Sequence, residues 1–484
     1  MIKVCDAIMG SGKSSAAIKY MNDHASDRKF IYITPYLAEA ERIRAACPAL
    51  HFVEPENKYF SMTGKDFADD GSLPAITSWS PVIHRTKVMH TEQLIAEGRN
   101  ITTTHQAFLF YTSEMVSTIK KQGYTLIIDE DVQVLSRMEV KRGDIQMALD
   151  AGYLRDEDGV LKLVRKPEKQ VSCAKMFRLL ESRNLVKIND TMIGIDAFFW
   201  TLPSSLLEAF DDVYILTYLF KGQALYGLIE SAKLPYQDIG VKRIGDTYEF
   251  DETGKYIPEY AKTLYQHIVI CNDCKLNELG NKKGSLSRKW YQRNANKMEG
   301  DDRKKNGVQL LKSRLSNYFR NRKKAKLDDI MWTTFEDYKF ALRGPGYSKG
   351  FVVMNSKATN QYRDKTVLAY MANIFMNPAH KTYYRSLGVA IDEDLYALSM
   401  MIQWIFRSKI RDIEMDPTVK IHLFVPSARM RSLLENWLKE LAGGEVDIVH
   451  DAKDRETIIS REERYPSAAR RVVKNAELVV PFDP

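Results

Sequence analysis

Residues 1–15, MIKVCDAIMGSGKSS, constrain this chain more than any other stretch. The apolar run Ile2 to Cys5 reads as a short strand, and Ser14 to Tyr20 reads as a helix. Between them, Gly10 and Gly12 permit a loop whose backbone N–H groups turn inward as a nest for phosphate oxygens. Lys13 is spaced to reach the β- and γ-phosphates, and the Ser14 hydroxyl to ligate Mg²⁺. Gly10, Ser11, Gly12, Lys13, Ser14 and Ser15 are therefore the candidate nucleotide contacts. The positive end of the following helix adds to the same attraction. Ala7 stands where the strict phosphate-loop pattern has Gly.

A phosphate loop needs a carboxylate partner, and YTLIIDEDVQVL (124–135) supplies one. Leu126 to Ile128 reads as a buried strand ending in Asp129 and Glu130. Hydrolysis of a nucleoside triphosphate uses one carboxylate to hold Mg²⁺ and a second to orient or deprotonate the attacking water. Asp129 is assigned to the metal and Glu130 to the water. Asp131 is expected to face solvent or cap the next segment.

The size of the chain, 484 residues, points to two or three domains. Apolar residues make up 44% and charged residues 28%, which is the balance of a soluble globular protein. No run approaches the ~18 apolar residues of a membrane span, and a strand beginning at residue 2 leaves no room for a leader. Five cysteines in such a length suit a reducing, cytoplasmic compartment. The net charge of +8 fits a polyanionic partner.

Other segments repeat the strand–turn–helix pattern. KFIYIT (29–34) is a buried strand ending at Thr34-Pro35, followed by the helix LAEAERIRAA. Residues 100–103 form another short strand inside ITTTHQAF, which contains Thr103, Thr104 and His105. The His is read as a hydrogen-bonded structural group more readily than as a base. Residues 137–190 break the alternation and read as an inserted subdomain. Val213 to Leu216 returns as a strand ending at Thr217. Residues 235–260 look like a linker and hairpin, and QHIVI (266–270) begins a second sheet. Cys271 and Cys274 form a lone C-x-x-C without a second ligand pair, so they are read as ordinary thiols.

The stretch 282–326 is the most basic of the chain and interleaves Trp290, Tyr291, Tyr318 and Phe319 with Lys and Arg. Two readings stand for it, a groove for single-stranded nucleic acid or a solvated helical face. Beyond it, DDIMWTTFEDYKFAL is strand, hydroxyl turn at Thr333, and helix. GFVVMN (350–355) is a further strand, and ATNQYRD, with Thr359 and Asn360, is a polar loop before a helix. Gln403, Arg407 and Arg411 recur every fourth residue in a helix spanning 392–412, which puts them on one stripe. A strand (419–425) and the helix MRSLLENWLKEL follow, and the charged end reads as a peripheral helix or tail.

This order of motifs resembles that of superfamily 2 DNA helicases of bacteriophage type. A-x-x-G-S-G-K-S is similar to their phosphate loop, TPYLAEAERI to motif Ia, ITTTHQAF to motif Ib, and Thr217 to motif III. The ATN segment resembles motif V, and the Gln/Arg helix resembles motif VI. The resemblance implies an α/β fold of two tandem RecA-like P-loop NTPase domains with parallel sheets. The first would span 1–235 with the insertion 137–190, the second 236–450 with the basic insertion 282–326, and residues 451–484 would form a small C-terminal extension. It implies ATP and Mg²⁺ as cofactors and an ATP site between lobes, with Gln403, Arg407 and Arg411 completing the catalytic set of Glu130. Phe406 replaces the usual Gly before the first Arg, and Arg411 lies one residue late. It further implies Thr34, Pro35, Thr103, Thr104, His105, Thr333, Thr359 and Asn360 as nucleic-acid contacts. The partners would be single-stranded and duplex DNA together with replication proteins, and the activity DNA-stimulated ATP hydrolysis with unwinding. Two other readings stand beside it: a terminase-type packaging motor, and a nucleic-acid-binding ATP switch that does not unwind.

Overall fold

Short runs rich in β-branched and aromatic residues, bounded by Gly, Pro and Asp, build the sheets of this protein. The computed structural model describes residues 1–60, 83–137, 142–167, 174–190, 195–254, 257–295, 306–354, 360–414 and 416–451. Thr359 and residues 452–484 lie outside them.

The chain divides into two compact units. One comprises Met1–Glu259 and Phe375–Gln403; the other comprises Tyr260–Ser356, Asn360–Ile374 and the residues from Trp404 onward. In the first, strands β1 (Ile2–Asp6), β2 (Lys29–Thr34), β3 (Ile101–Thr104), β4 (Tyr124–Asp129), β5 (Asp212–Thr217), β6 (Tyr236–Ile244) and β7 (Thr247–Asp251) form one sheet. Its order is β7-β6-β1-β5-β4-β2-β3, and all pairs are parallel except the β6–β7 hairpin. The first sheet thus runs past the boundary expected at residue 235.

Alternation along each strand splits the core of this sheet into two faces. Ile31, Ile33, Leu126, Ile128, Val213 and Ile215 pack on one side. Phe30, Tyr32, Ile127, Tyr214 and Leu216 pack on the other, beneath helix α1 (Lys13–Asp23), whose Ala16, Ala17 and Met21 are buried there. Truncating any of these large residues to Ala costs about 2–5 kcal/mol. Residues between β4 and β5 form a separate five-stranded antiparallel sheet, running from the strand Leu135–Arg137 to the strand Ile195–Thr201.

In the second unit, β8 (Ile268–Cys271), β9 (Ile330–Thr333), β10 (Val367–Tyr370), β11 (Ile421–Phe424) and β12 (His450–Asp451) form a wholly parallel sheet of order β9-β10-β11-β8-β12. Two expectations fail here. GFVVMN is not a strand; Phe351 makes a single bridge to Trp332. The polar ATNQYRD segment leads not into a helix but into β10, whose four residues are all buried. Burial on both faces makes VLAY a continuous apolar run without alternation, which hides its period.

No helix among the described residues is long and apolar enough to cross a membrane.

Candidate nucleotide site

The carboxyl ends of β1 and β4 carry the residues that the sequence marked for phosphate chemistry. Gly10 and Gly12 both have positive φ, 83° and 92°, a region that glycine enters without steric cost. Gly12 is the N-cap of α1; no side chain caps that end and its first turn holds no acidic residue. The positive end of an eleven-residue helix is therefore left without a carboxylate of its own. Ser11 N–H donates to Ile8 O at 3.2 Å and Ala16 N–H to Gly12 O at 2.8 Å, which set the loop's curvature. The Ser11 hydroxyl is buried and makes no hydrogen bond among the described residues, an unmet demand that is rare in folded proteins.

Lys13 bends back over this loop and donates to the carbonyls of Ala7 and Ile8, the second at 3.0 Å. Desolvation lowers its pKa, opposed by Asp129, Asp6 and Glu130 among the neighbouring groups. Ser14 is half-buried and Ser15 exposed.

Asp129, the last residue of β4, is 8% exposed. Burial pushes its carboxyl up to about 7, helped by the charges of Glu130 and Glu39 and opposed by the Tyr32 hydroxyl and Lys13. Glu130 follows with φ 66°, an uncommon conformation for a side-chain-bearing residue and a mark of local strain. Its N–H donates to Leu216 O at 2.9 Å, so the strained turn is pinned to β5. Glu130 and Asp131 are exposed, while the Asp131 carboxylate accepts from the N–H of Leu225 in the first turn of α2 (Ala224–Ser231). One parallel strand, β5, separates β1 from β4.

His105 is buried, and its Nε2 lies 2.8 Å from the Asp129 carbonyl. A carbonyl only accepts, so Nε2 carries the proton. Desolvation lowers the imidazole pKa to about 4. His105 thus props the end of β4, and the expectation of a nucleic-acid contact is corrected. Thr34, Thr103 and Thr333 are likewise buried strand-end residues rather than surface hydroxyls. Thr104 spends its hydroxyl on the Ala107 N–H at 3.3 Å, and Pro35 is half-buried. Asn360 opens a single 3-10 turn.

The Gln/Arg stripe is also corrected. The helix α3 (Glu393–Ile405) ends before Arg407, and Arg411 sits on a 3-10 turn, Lys409–Asp412. The Ser408 hydroxyl explains the break: it donates to Ile405 O at 2.7 Å and accepts from Ile410 N–H at 3.4 Å, replacing the helical ladder. Gln403 remains on the last turn of α3 and contacts Ser399 at 3.5 Å. Arg407 is buried, and its guanidinium donates to Val353 O at 3.2 Å and Met354 O at 2.9 Å. Arg411 donates to Phe406 O and is exposed.

Within 282–326, Tyr291, Tyr318 and Phe319 are fully buried, so these aromatics serve the core and not a stacking groove. Lys282, Lys283, Arg288, Lys289 and Arg293 are exposed. Phe340 is 65% exposed, the exposed aromatic among the described residues of this unit, with Lys339 Nζ and the Arg343 guanidinium each 5.2 Å from its ring centre.

A relative of this chain is the SPbeta prophage-derived uncharacterized protein YonV of Bacillus subtilis (strain 168), 32% identical over 444 residues, which cover 90% of this chain and 98% of that one. The chain belongs to the YonV family. Residues 262–438 match the YonV C-terminal Rossmann-like domain, in keeping with the parallel sheet of the second unit. Among solved structures, Xpd4 of S. tokodaii aligns at 10% identity with a TM-score of 0.42, over 93% of this chain and 96% of that one; a likeness at that level bears no weight on function.

In this YonV-family chain, sequence reasoning missed several supports of the site. The Asp6 carboxylate accepts from Leu219 N–H at 2.7 Å and Phe220 N–H at 3.2 Å, fixing the turn after β5. Thr217, buried at the end of β5, is paired with the Gln223 amide at 2.8 Å. An acid closing β1 was the available signal for Asp6; Gln223 had none. For Phe340 the signal was Lys-Phe-x-x-Arg, two cations placed around one aromatic.

Proposed function

We propose that this protein is an ATP-driven, nucleic-acid-dependent motor of the helicase kind, with two RecA-like units, the first carrying the hydrolytic residues. The observation that carries the reading is the loop of Gly10 to Lys13, with its two left-handed glycines and uncapped helix, served by an acidic pair at the end of β4. The residues fit the group that the chemistry requires. Ser14 and Asp129 are hard oxygen donors suited to Mg²⁺, which takes one or two protein oxygens and keeps phosphate and water for the rest. When bound, the ion would neutralise charge on the phosphate oxygens.

The chain's own groups do the remainder. Backbone N–H groups from Gly10 to Ser14 hold phosphate oxygens, and the Ser11 hydroxyl gains its missing partner there. Lys13 exchanges the Ala7 and Ile8 carbonyls for phosphate. Glu130, exposed and set by its strained backbone, orients the attacking water and takes its proton. Arg407, whose guanidinium donates to Val353 O and Met354 O, is the proposed arginine that exchanges those carbonyls for phosphate and stabilises charge on the transferring phosphoryl group. Exposed cations at 282–293, together with Phe340 between Lys339 and Arg343, are the proposed contacts to single-stranded nucleic acid. The relative's prophage origin fits a role in phage DNA replication or recombination.

The test is ATP hydrolysis with and without single-stranded DNA, for the wild type, Lys13→Ala and Arg407→Ala. Stimulation by DNA that both substitutions abolish supports the motor, and strand displacement is then measured. Hydrolysis indifferent to DNA, or intact in Lys13→Ala, overturns it.

A further inference from the structure

We infer that the β6–β7 hairpin is the nucleobase-binding wall of the phosphate-loop site, with the Tyr248 ring as its stacking platform; this rests on the nucleotide reading above.

The argument starts from strand lengths. β6 has nine residues, and only its first four, Tyr236 to Ile239, pair with β1. The other five, Gly240–Ile244, outrun the end of β1 and pair instead with β7. At about 3.3 Å per residue the hairpin therefore stands some 15 Å or so beyond the carboxyl edge of its neighbour, on the edge where the Gly10–Gly12 loop lies. It is held there firmly. Phe250 stacks on Tyr214 with ring centres 4.9 Å apart, packs edge-on to Tyr20 of α1, and Glu249 meets Lys19 of α1 at 3.6 Å.

The same hairpin brings Tyr248 onto the loop. A Cβ built on Gly12 would fall 2.1 Å from Tyr248 Cδ1, so the ring lies directly against the glycine backbone. Arg243 is the cross-strand partner of Tyr248, which puts the two on one face of the hairpin, and its guanidinium stands 6.0 Å from the ring centre. A half-buried phenol ring flanked by a guanidinium plane is a surface on which a flat heterocycle stacks.

Direction decides what lies there. Asp129 and Glu130 end β4, on one side of β1 with β5 between; the hairpin is on the other side of β1. A triphosphate whose terminal phosphate reaches the acidic pair must point its other end away from them, toward β6 and β7. That end is the nucleoside, and Tyr248 is the aromatic ring against the loop on that side. Because stacking uses a π-face and not a hydrogen-bonding edge, ATP and GTP are expected to bind within a few-fold of each other.

The experiment is equilibrium titration of the full-length protein with Mg²⁺ and either ATP or inorganic tripolyphosphate, for the wild type, Tyr248→Ala, Tyr248→Phe and Lys13→Ala. Tyr248→Ala is expected to weaken ATP about 10- to 100-fold and leave tripolyphosphate within twofold, while Tyr248→Phe keeps ATP affinity. If Tyr248→Ala leaves ATP unchanged, the platform is wrong. If it weakens ATP and tripolyphosphate equally, the ring merely supports the Gly12 backbone, and the platform is again wrong. If neither ligand binds the wild type, or Lys13→Ala alters neither, the nucleotide site itself is overturned and the platform with it.

Discussion

The two parallel sheets of this protein make different use of their strand ends. In the first unit, the carboxyl edge concentrates strain and displaced ionisation: Glu130 at φ 66° beside a buried Asp129 whose carboxyl is raised to about 7. In the second, the comparable end of β9 carries the fully buried Thr333 and Thr334, and the acids just past β8 and in β12, Asp273 and Asp451, are paired with Arg322 at 2.5 and 3.1 Å. A folded chain keeps a desolvated, half-protonated acid only where the surroundings enforce it. On the function proposed above, the contrast assigns chemistry to the edge of the first unit and the holding of a charged polymer to the surface of the second.

The largest expected effect separates these roles. Glu130→Gln should lower the rate of ATP hydrolysis by on the order of 10³-fold while leaving affinity for single-stranded DNA within about twofold, read by steady-state turnover and fluorescence anisotropy. A parallel loss of DNA affinity would erase the division.

A second test sharpens it through pH. A raised Asp129 pKa means that the folded state keeps a proton that the unfolded chain gives up near pH 4. Stability therefore falls as pH rises from about 4 to about 7, and the full cost is present above pH 7. Asp129→Asn should remove that slope and stabilise the protein at pH 8, with on the order of 4 kcal/mol as the upper bound, measured by urea unfolding across pH. His105 acts with the opposite sign: its folded pKa near 4 means stability is lost as pH falls from about 6.5 toward 4. The double variant Asp129→Asn, His105→Gln should lose both of these slopes and keep the one from Asp131, whose carboxyl desolvation also raises to about 7.

The smallest effect belongs to the second unit. Phe340→Ala should weaken single-stranded DNA by about 10-fold, in line with roughly 1–3 kcal/mol for a stacked base, without changing ATP hydrolysis in the absence of DNA. Equal affinity in Phe340→Ala and wild type would remove Phe340 from the surface.

Particular residues show how far the sequence could be read. GSGKS and the acidic pair were legible because backbone freedom and charge at a strand end are local properties. Strands β1, β2, β4 and β5 were legible because Val, Ile and Tyr in short runs between turn residues have few other uses. β10 was not, since a strand buried on both faces loses its period-two signature. The Gln/Arg stripe failed on one hydroxyl: Ser408 takes the bonds of the helical ladder, and fourfold spacing no longer means a shared face. Tyr291, Tyr318 and Phe319 failed as groove aromatics because composition does not say which side of a helix faces inward, while Trp290 is half-buried; Tyr318 stacks on Phe424 of β11 at 4.9 Å.

By itself, then, the sequence determined the glycine turn between β1 and α1, the acidic pair at the end of β4 and the α/β class, because each depends on neighbours within a few residues. Only the tertiary structure decided that β5 lies between β1 and β4, that His105 is a prop for β4, and that Tyr248 lies on Gly12. Those depend on contacts between segments tens to hundreds of residues apart. Such contacts are fixed by packing two faces of one sheet, and no local pattern encodes them.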